Sequence, residues 1–317
     1  MKRKIYISIS LLTIILISIV VTAFQNKPQQ LSAPLLLPQV VSAKKSYVFT
    51  QALTSKFRND FKIENAIFPD TTVILFEFIP VGGWLKKLSD SKLSLNYYAT
   101  AYNKGKLFIA GGRDISGKVV NTFYEYDLAG QQWINRPSMK TAREFFALES
   151  HDNFIYAIGG TDKTEAEVYD MSSNQWTTKP LNYTGCSPMK EIICYENIDT
   201  LFFMFNNNGE MQILNIKNMT VQKGPTPPFK MKNFDACTYN KKIYISAGYD
   251  ESGINANVYC YSTADSLWSS IGKVGSPRCL SGLVYFGSMI LHIGGSFTIP
   301  SQKCRILSDT YIFRLPN

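Results

Sequence analysis

A glycine doublet recurs along this chain at a near-constant interval, each time followed by an aromatic–acidic pair and then a tryptophan. Gly111-Gly112, Gly159-Gly160 and Gly294-Gly295 are the intact copies, 48 and then 135 residues apart, the second gap being three steps of 45. Ala247-Gly248 and Asn207-Asn208 stand where the two missing copies belong. Trp133, Trp176 and Trp268 keep the same beat, and Trp84 lies 49 residues upstream of the first. Self-similarity with a period of about 45 to 50 residues marks a radial array of small sheets. Such a pattern constrains architecture tightly and chemistry hardly at all.

One unit shows the logic. Residues 98–102 form a short strand of small and aromatic residues, and Asn103-Lys104-Gly105 is a turn. Residues 106–110 (KLFIA) are the apolar run of a strand buried on both faces, and Gly111-Gly112 end it. A polar loop over 113–120 leads to an alternating strand at 122–126, a turn, and an outer strand carrying Trp133. The order repeats through Gly159-Gly160 and Trp176, then Ala247-Gly248 and Trp268, and then Gly294-Gly295. The unit at 201–221 has lost its glycines and tryptophan and reads as a degenerate, more loosely packed blade.

These residues resemble the kelch repeat family over about residues 73–315. The resemblance implies an all-β fold: a six-bladed β-propeller of four-stranded antiparallel blades. An upstream half-unit at 74–88, containing Trp84, would join strands drawn from 46–68 as the further blade. The last unit stops after its third strand, so its outer strand is expected from the N-terminal segment, at 47–51. Closing the ring in this way removes an exposed edge.

The N-terminus reads as a targeting segment. Lys2, Arg3 and Lys4 precede an apolar stretch over 5–21, and Val21-Thr22-Ala23 offers a small-residue cleavage pattern. Residues 1–24 are therefore a signal peptide or, if retained, a helical signal anchor. Residues 25–45 read as a flexible linker and 46–317 as the propeller. Both fates of the leader place the propeller outside the cytoplasm, either secreted or periplasmic, or tethered to the membrane through this segment alone. The net charge of +9 comes without an arginine-rich run or a base-stacking motif, which argues against nucleic acid.

Of the six cysteines, Cys186 and Cys194 are the best candidates for a disulfide, while burial as small hydrophobes is the commoner role for the others. Asn182-Tyr183-Thr184 and Asn218-Met219-Thr220 match the N-glycosylation acceptor pattern, at a frequency near chance for a chain this rich in asparagine.

Catalytic groups are sparse. The two histidines, His151 and His292, fall in different units, so neither a metal nor a cofactor is expected. This also separates the chain from propellers that hold a copper ion between histidines. No nucleophile elbow, phosphate loop or paired CxxC is present. Arg143, Lys190, Lys232 and Arg278 stand 16, 17, 15 and 16 residues before the doublet position of their units, and Asn96 fills the slot in the first. If they are equivalent, they converge on the mouth of the central channel as a rim able to hold an anionic group. The competing reading has each one hydrogen-bonding the neighbouring blade. Tyr97-Tyr98, Phe145-Phe146 and Phe202-Phe203 are best explained as strand interiors.

The resemblance implies a non-enzymatic recognition module that binds a protein or glycan partner through its loop face. The rival it offers is a mutarotase or epimerase of acidic sugars such as sialic acid, in which Glu144 or Glu191 moves the proton. A structural cell-surface repeat protein is the third expectation.

Overall fold

The computed structural model describes residues 35–42, 46–52, 73–79, 84–91, 93–160, 163–286, 289–297 and 310–315. The targeting segment at 1–24 lies outside them. Every regular element among the described residues is a β-strand.

The first sheet runs in the order β1 (Leu35–Ser42), β2 (Ser46–Ala52), β3 (Val73–Ile79) and β4 (Trp84–Asp90). The second is β5 (Ala99–Asn103), β6 (Lys106–Ala110), β7 (Phe123–Asp127) and β8 (Gln132–Arg136). The third is β9 (Phe146–His151), β10 (Phe154–Gly159), β11 (Glu165–Asp170) and β12 (Gln175–Pro180). In the fourth, β14 (Cys194–Ile198), β15 (Leu201–Phe205), β16 (Met211–Asn215) and β17 (Thr220–Lys223) form a meander, and β13 (Asn182–Thr184) lies parallel to β17 on its outside. The fifth joins β18 (Asp235–Tyr239), β19 (Lys242–Ser246), β22 (Asn257–Ser262) and β23 (Leu267–Lys273), with the hairpin β20 (Tyr249–Asp250) and β21 (Gly253–Ile254) in its loop. The last is β24 (Gly282–Phe286), β25 (Met289–Ile293) and β26 (Thr310–Arg314).

This is a propeller of small antiparallel sheets. Strands β5, β9, β14, β18 and β24 stand side by side in that order, and β1 lies against both β24 and β5. Among the described residues, five sheets carry the repeat read in the sequence, one fewer than the six blades expected. The sheet β1–β4 is built ahead of them from residues 35–90.

The terminal pairing differs from the sequence expectation. Residues 47–51 do not complete the last sheet. They belong to β2, where Tyr47 lies opposite Val41 of β1 and Glu77 of β3. Only three residues separate β1 from β2, so this hairpin forms at far lower loop-closure cost than a pairing with the C-terminus. The strand β1 also falls inside 25–45, the stretch whose composition predicts a linker.

The unit lacking the doublet is not loosely packed. Phe202, Phe203, Phe205, Met211 and Leu214 are all fully buried there. Large side chains fill the volume that the tryptophan occupies elsewhere, and β13 adds a fifth strand at the edge. The remaining tryptophans tie each sheet to the one before it. The Trp133 indole donates to Ser89 Oγ at 2.9 Å, Trp176 to Pro137 O at 2.8 Å and Trp268 to Pro225 O at 3.2 Å. Burying an indole with its N–H satisfied combines a large apolar contact with a directional one.

Candidate functional site at the channel mouth

The doublets make the turn at the loop end of each sheet. Gly159 and Gly160 have φ of 71° and 98°, and Ala247 and Gly248 follow with 61° and 102°. A Cβ at Gly160 would sit 2.9 Å from the Glu144 carbonyl oxygen, one at Gly248 2.8 Å from that of Lys232, and one at Gly295 2.8 Å from that of Cys279. The second glycine is thus required by backbone approach as well as by dihedral.

Those contacts also fix which residues are equivalent. The residue after the doublet exchanges backbone hydrogen bonds with the residue leading into the inner strand, as in Asn96 with Arg113, Lys232 with Tyr249 and Cys279 with Ser296. The equivalent set is therefore Asn96, Glu144, Lys232 and Cys279. Arg143 and Arg278 stand one residue earlier and do something else. Counting along the chain could not separate them, because the intervening segments differ by one residue.

Both arginines are fully buried. Arg143 Nη1 donates to Gly159 O at 2.7 Å, and its Nε and Nη2 reach Glu167 Oε1 at 3.3 and 3.2 Å. Glu167, equally buried, also accepts from the backbone N–H groups of Lys140 and Thr141 and from the Thr141 hydroxyl. Arg278 Nη1 donates to Gly294 O at 3.0 Å, and its guanidinium lies 5.5 Å from the Phe297 ring and 5.7 Å from the Tyr311 ring. Each arginine clamps the doublet of its own sheet. Of the five rim residues expected from the sequence, only Lys190 and Lys232 present a charge to solvent, and Asn96 is buried. The structure does not bring the five together as one cationic ring.

A different arrangement surrounds the mouth. Immediately after the equivalent positions come Tyr97, Phe145, Asn233 and Leu280, all at φ between 50° and 57°. Phe145 O accepts from Ile192 N at 2.7 Å, and Asn233 O from Leu280 N at 3.2 Å, so this collar is stitched from sheet to sheet. Tyr97 and Phe145 pack at 4.6 Å between ring centroids. Arg113 holds the buried Glu144 carboxylate with Nη2 to Oε1 at 2.5 Å and a second bond from Nε to Oε2. Sequence reasoning missed the collar because tyrosine, phenylalanine and leucine rarely adopt a left-handed backbone, so nothing in their identity announces it.

Two loops beyond the doublets share the sequence Asp-x-Ser-Gly, at 114–117 and 250–253. Asp114 Oδ1 accepts from Ser116 N at 2.9 Å and from its hydroxyl at 2.6 Å, and Asp250 Oδ1 accepts from Ser252 N at 2.8 Å and from its hydroxyl. The serine hydroxyl bond holds each carboxyl below the usual aspartate range. These braced turns project Ile115, 56% exposed, and Glu251. Phe297, 42% exposed, lies on the same face.

Inside the propeller, the Tyr195 hydroxyl on β14 donates to Thr100 O and accepts from Thr100 N on β5, both at 3.1 Å, reaching past β9. Glu149, Glu196 and Asp235 stand on the adjacent inner strands β9, β14 and β18. Burial pushes the Glu149 and Asp235 carboxyls up to about 7, and Glu196 well above its ordinary value. The bond from Asn197 to Glu149, at 2.5 Å, and those from Leu283 and Ala236 N–H to Asp235, at 2.9 and 2.8 Å, act in the opposite direction. His292 is buried, and desolvation together with the charge of Arg278 lowers it to about 3, so it is neutral. His151 pairs only with Asp152 of its own turn, at 3.5 Å. Among the described residues, no three His, Cys, Asp or Glu side chains converge as metal ligands.

The cysteine pairing expected from the sequence is not made. Cys186 and Cys194 are free thiols. Cys186 Sγ lies 3.7 Å from Val221 O on the outer strand β17, whereas Cys194 is on the inner strand β14, about three strand spacings or 14 Å away. Cys237 and Cys260 flank Tyr244 on either side in the same sheet, two strand spacings or about 10 Å apart and beyond disulfide reach.

Three stretches match the Kelch motif model, at residues 94–140, 142–180 and 231–275. They coincide with the second, third and fifth sheets, and the sheet that lost its glycines and tryptophan falls between them. Kelch-like protein 40 of Xenopus laevis is 24% identical over 234 residues, 67% of this chain and 37% of the relative. Kelch-like protein 36 of Mus musculus is 25% identical over 223 residues, covering 67% and 29%. Alpha-scruin of Limulus polyphemus is 36% identical over 93 residues, covering 26% and 10%. The chain therefore spans little more than a third of the curated relatives it matches best in extent. With the glycine turns, the tryptophan ties and the motif matches in three sheets, the chain belongs to the kelch-repeat proteins.

Proposed function

We propose that this protein is an exported recognition module that binds a protein partner through the face carrying the doublet turns. The observation that carries the reading is the stitched collar around the channel mouth, ringed by braced loops that hold apolar and charged tips toward solvent. Ile115, Phe297, Lys190 and Lys232 are presented there without a pocket that would enclose a small molecule's reacting atoms. Lys190 and Lys232 favour a partner with an acidic surface. The membership of the kelch-repeat proteins and the names of the relatives agree with a binding role. A proton-moving role for Glu144 has no support, since a guanidinium already holds both its carboxylate oxygens.

The export half of the reading rests on the charged and apolar leader at 1–24. We further read the sheet β1–β4 as a sixth blade, supported by β1 lying against both β24 and β5. The binding half is tested with the mature chain immobilised over extracellular fractions, and with Lys190→Glu, Lys232→Glu and Ile115→Asp combined. Partner retention should fall at least tenfold in that variant and stay unchanged in Tyr239→Ala, on the opposite face. Equal retention by all three proteins would overturn the assignment of the face.

A further inference from the structure

We propose that Asn182 and Asn218 are a pair of N-glycan acceptors seated side by side on the outer edge of the five-stranded sheet. The proposal rests on the exported reading above. These are the chain's two Asn-x-Thr sequences, and 36 residues separate them. Nothing in that separation requires them to meet. Yet β13 joins β17 with Asn182 opposite Thr220, and the Asn182 N–H donates to Met219 O at 2.9 Å.

Both sites have the local geometry that glycan transfer needs. Asn182 and Thr184 are exposed on one face of an extended strand, while Tyr183 between them turns toward the core. Asn218 is exposed on a turn in which Thr220 N–H donates to Asn218 Oδ1 at 3.1 Å. That Asx turn brings the threonine back against the amide. Neither side-chain amide nitrogen is engaged by another described residue. Transfer would form a bond from the asparagine amide nitrogen to the anomeric carbon of a polyprenyl-diphosphate-linked oligosaccharide. The carbon–oxygen bond to the diphosphate breaks, the diphosphate leaves with the electron pair, and the amide gives up one proton.

The location gives the glycans a physical consequence. β13 is the end strand of its sheet among the described residues, and an end strand offers backbone groups to any passing strand. The turn at 216–219 joins β16 to β17 at the end opposite the doublet position. Two hydrated oligosaccharides there would cover the edge and leave the loop face open.

The test expresses the full chain, with its own leader, in a yeast or insect secretory host and recovers it from the medium. Digestion with an amidase specific for N-glycans should shift its mobility by two steps. Asn182→Gln and Asn218→Gln should each lose one step, and the double variant both. Secreted chain without an amidase-sensitive shift overturns the proposal, as does a shift that survives in the double variant or depends on one asparagine alone. Chain that never reaches the medium counts against export instead, and the same digestion on chain carrying a known secretion leader then decides the sites.

Discussion

Arg143 shows how a charge can look like a ligand contact and serve the fold. Its guanidinium is spent on Gly159 O and Glu167, with no solvent exposure on either charged partner. Removing one member of a buried pair strands the other, at a cost of about 3–5 kcal/mol. Arg143→Met should therefore lower unfolding free energy by that amount in urea titrations, with affinity for any partner unchanged in the surviving folded fraction. Unaltered stability accompanied by lost binding would restore the rim reading. Arg143→Lys should recover little, since a single ammonium cannot serve the carbonyl and the carboxylate together in the guanidinium's geometry. In the sequence, Arg143 and Lys232 differ only in sitting 16 or 15 residues before the doublet. That one-residue difference separates a buried clamp from an exposed charge. It was unreadable because loop length, unlike strand periodicity, carries no internal ruler.

At the scale of the element, the doublet turn was legible and its two positions are unequal. Ala247 occupies the first with φ 61°, so an L residue is tolerated there with strain. A Cβ at Gly159 would meet only the end of the Ile192 side chain, which can move. At Gly160 the obstacle is the Glu144 carbonyl oxygen, part of the stitched backbone. Gly159→Ala should cost about 1–2 kcal/mol, the left-handed penalty alone, and Gly160→Ala clearly more. Equal thermal shifts for the two would remove the distinction. Strand order, turn position and the tryptophan ties followed from spacing. The fifth strand β13 did not, because three residues pairing in parallel leave no periodic trace. The packing of 201–221 was misjudged for a related reason. Loss of the repeat's signature residues was taken as loss of density, whereas phenylalanine and methionine had taken over the volume.

For the molecule as a whole, the inner strands gather carboxylates where water is scarce. Glu149 and Asp235 hold protons up to about pH 7, while in the unfolded chain they lose them near their model values of 4.5 and 3.8. Between those limits the native state binds more protons than the unfolded state, so stability falls as pH rises and levels off above about 7. Water in the axial space moderates the size of the effect, not its sign. Melting temperature should decline from pH 5 to pH 8, and Glu149→Gln should flatten part of that slope. A slope of opposite sign, or one indifferent to Glu149→Gln, would contradict the burial of these groups.

The hydroxyl of Tyr195 has a mechanical implication. Linear repeat arrays pass a disturbance only to the next unit, and it fades along the row. A phenol anchored to Thr100, on a strand that β14 does not adjoin, acts as a cross-brace. Strain entering one wedge is then felt by another it never touches, and the ring answers a pull on one side as a single frame.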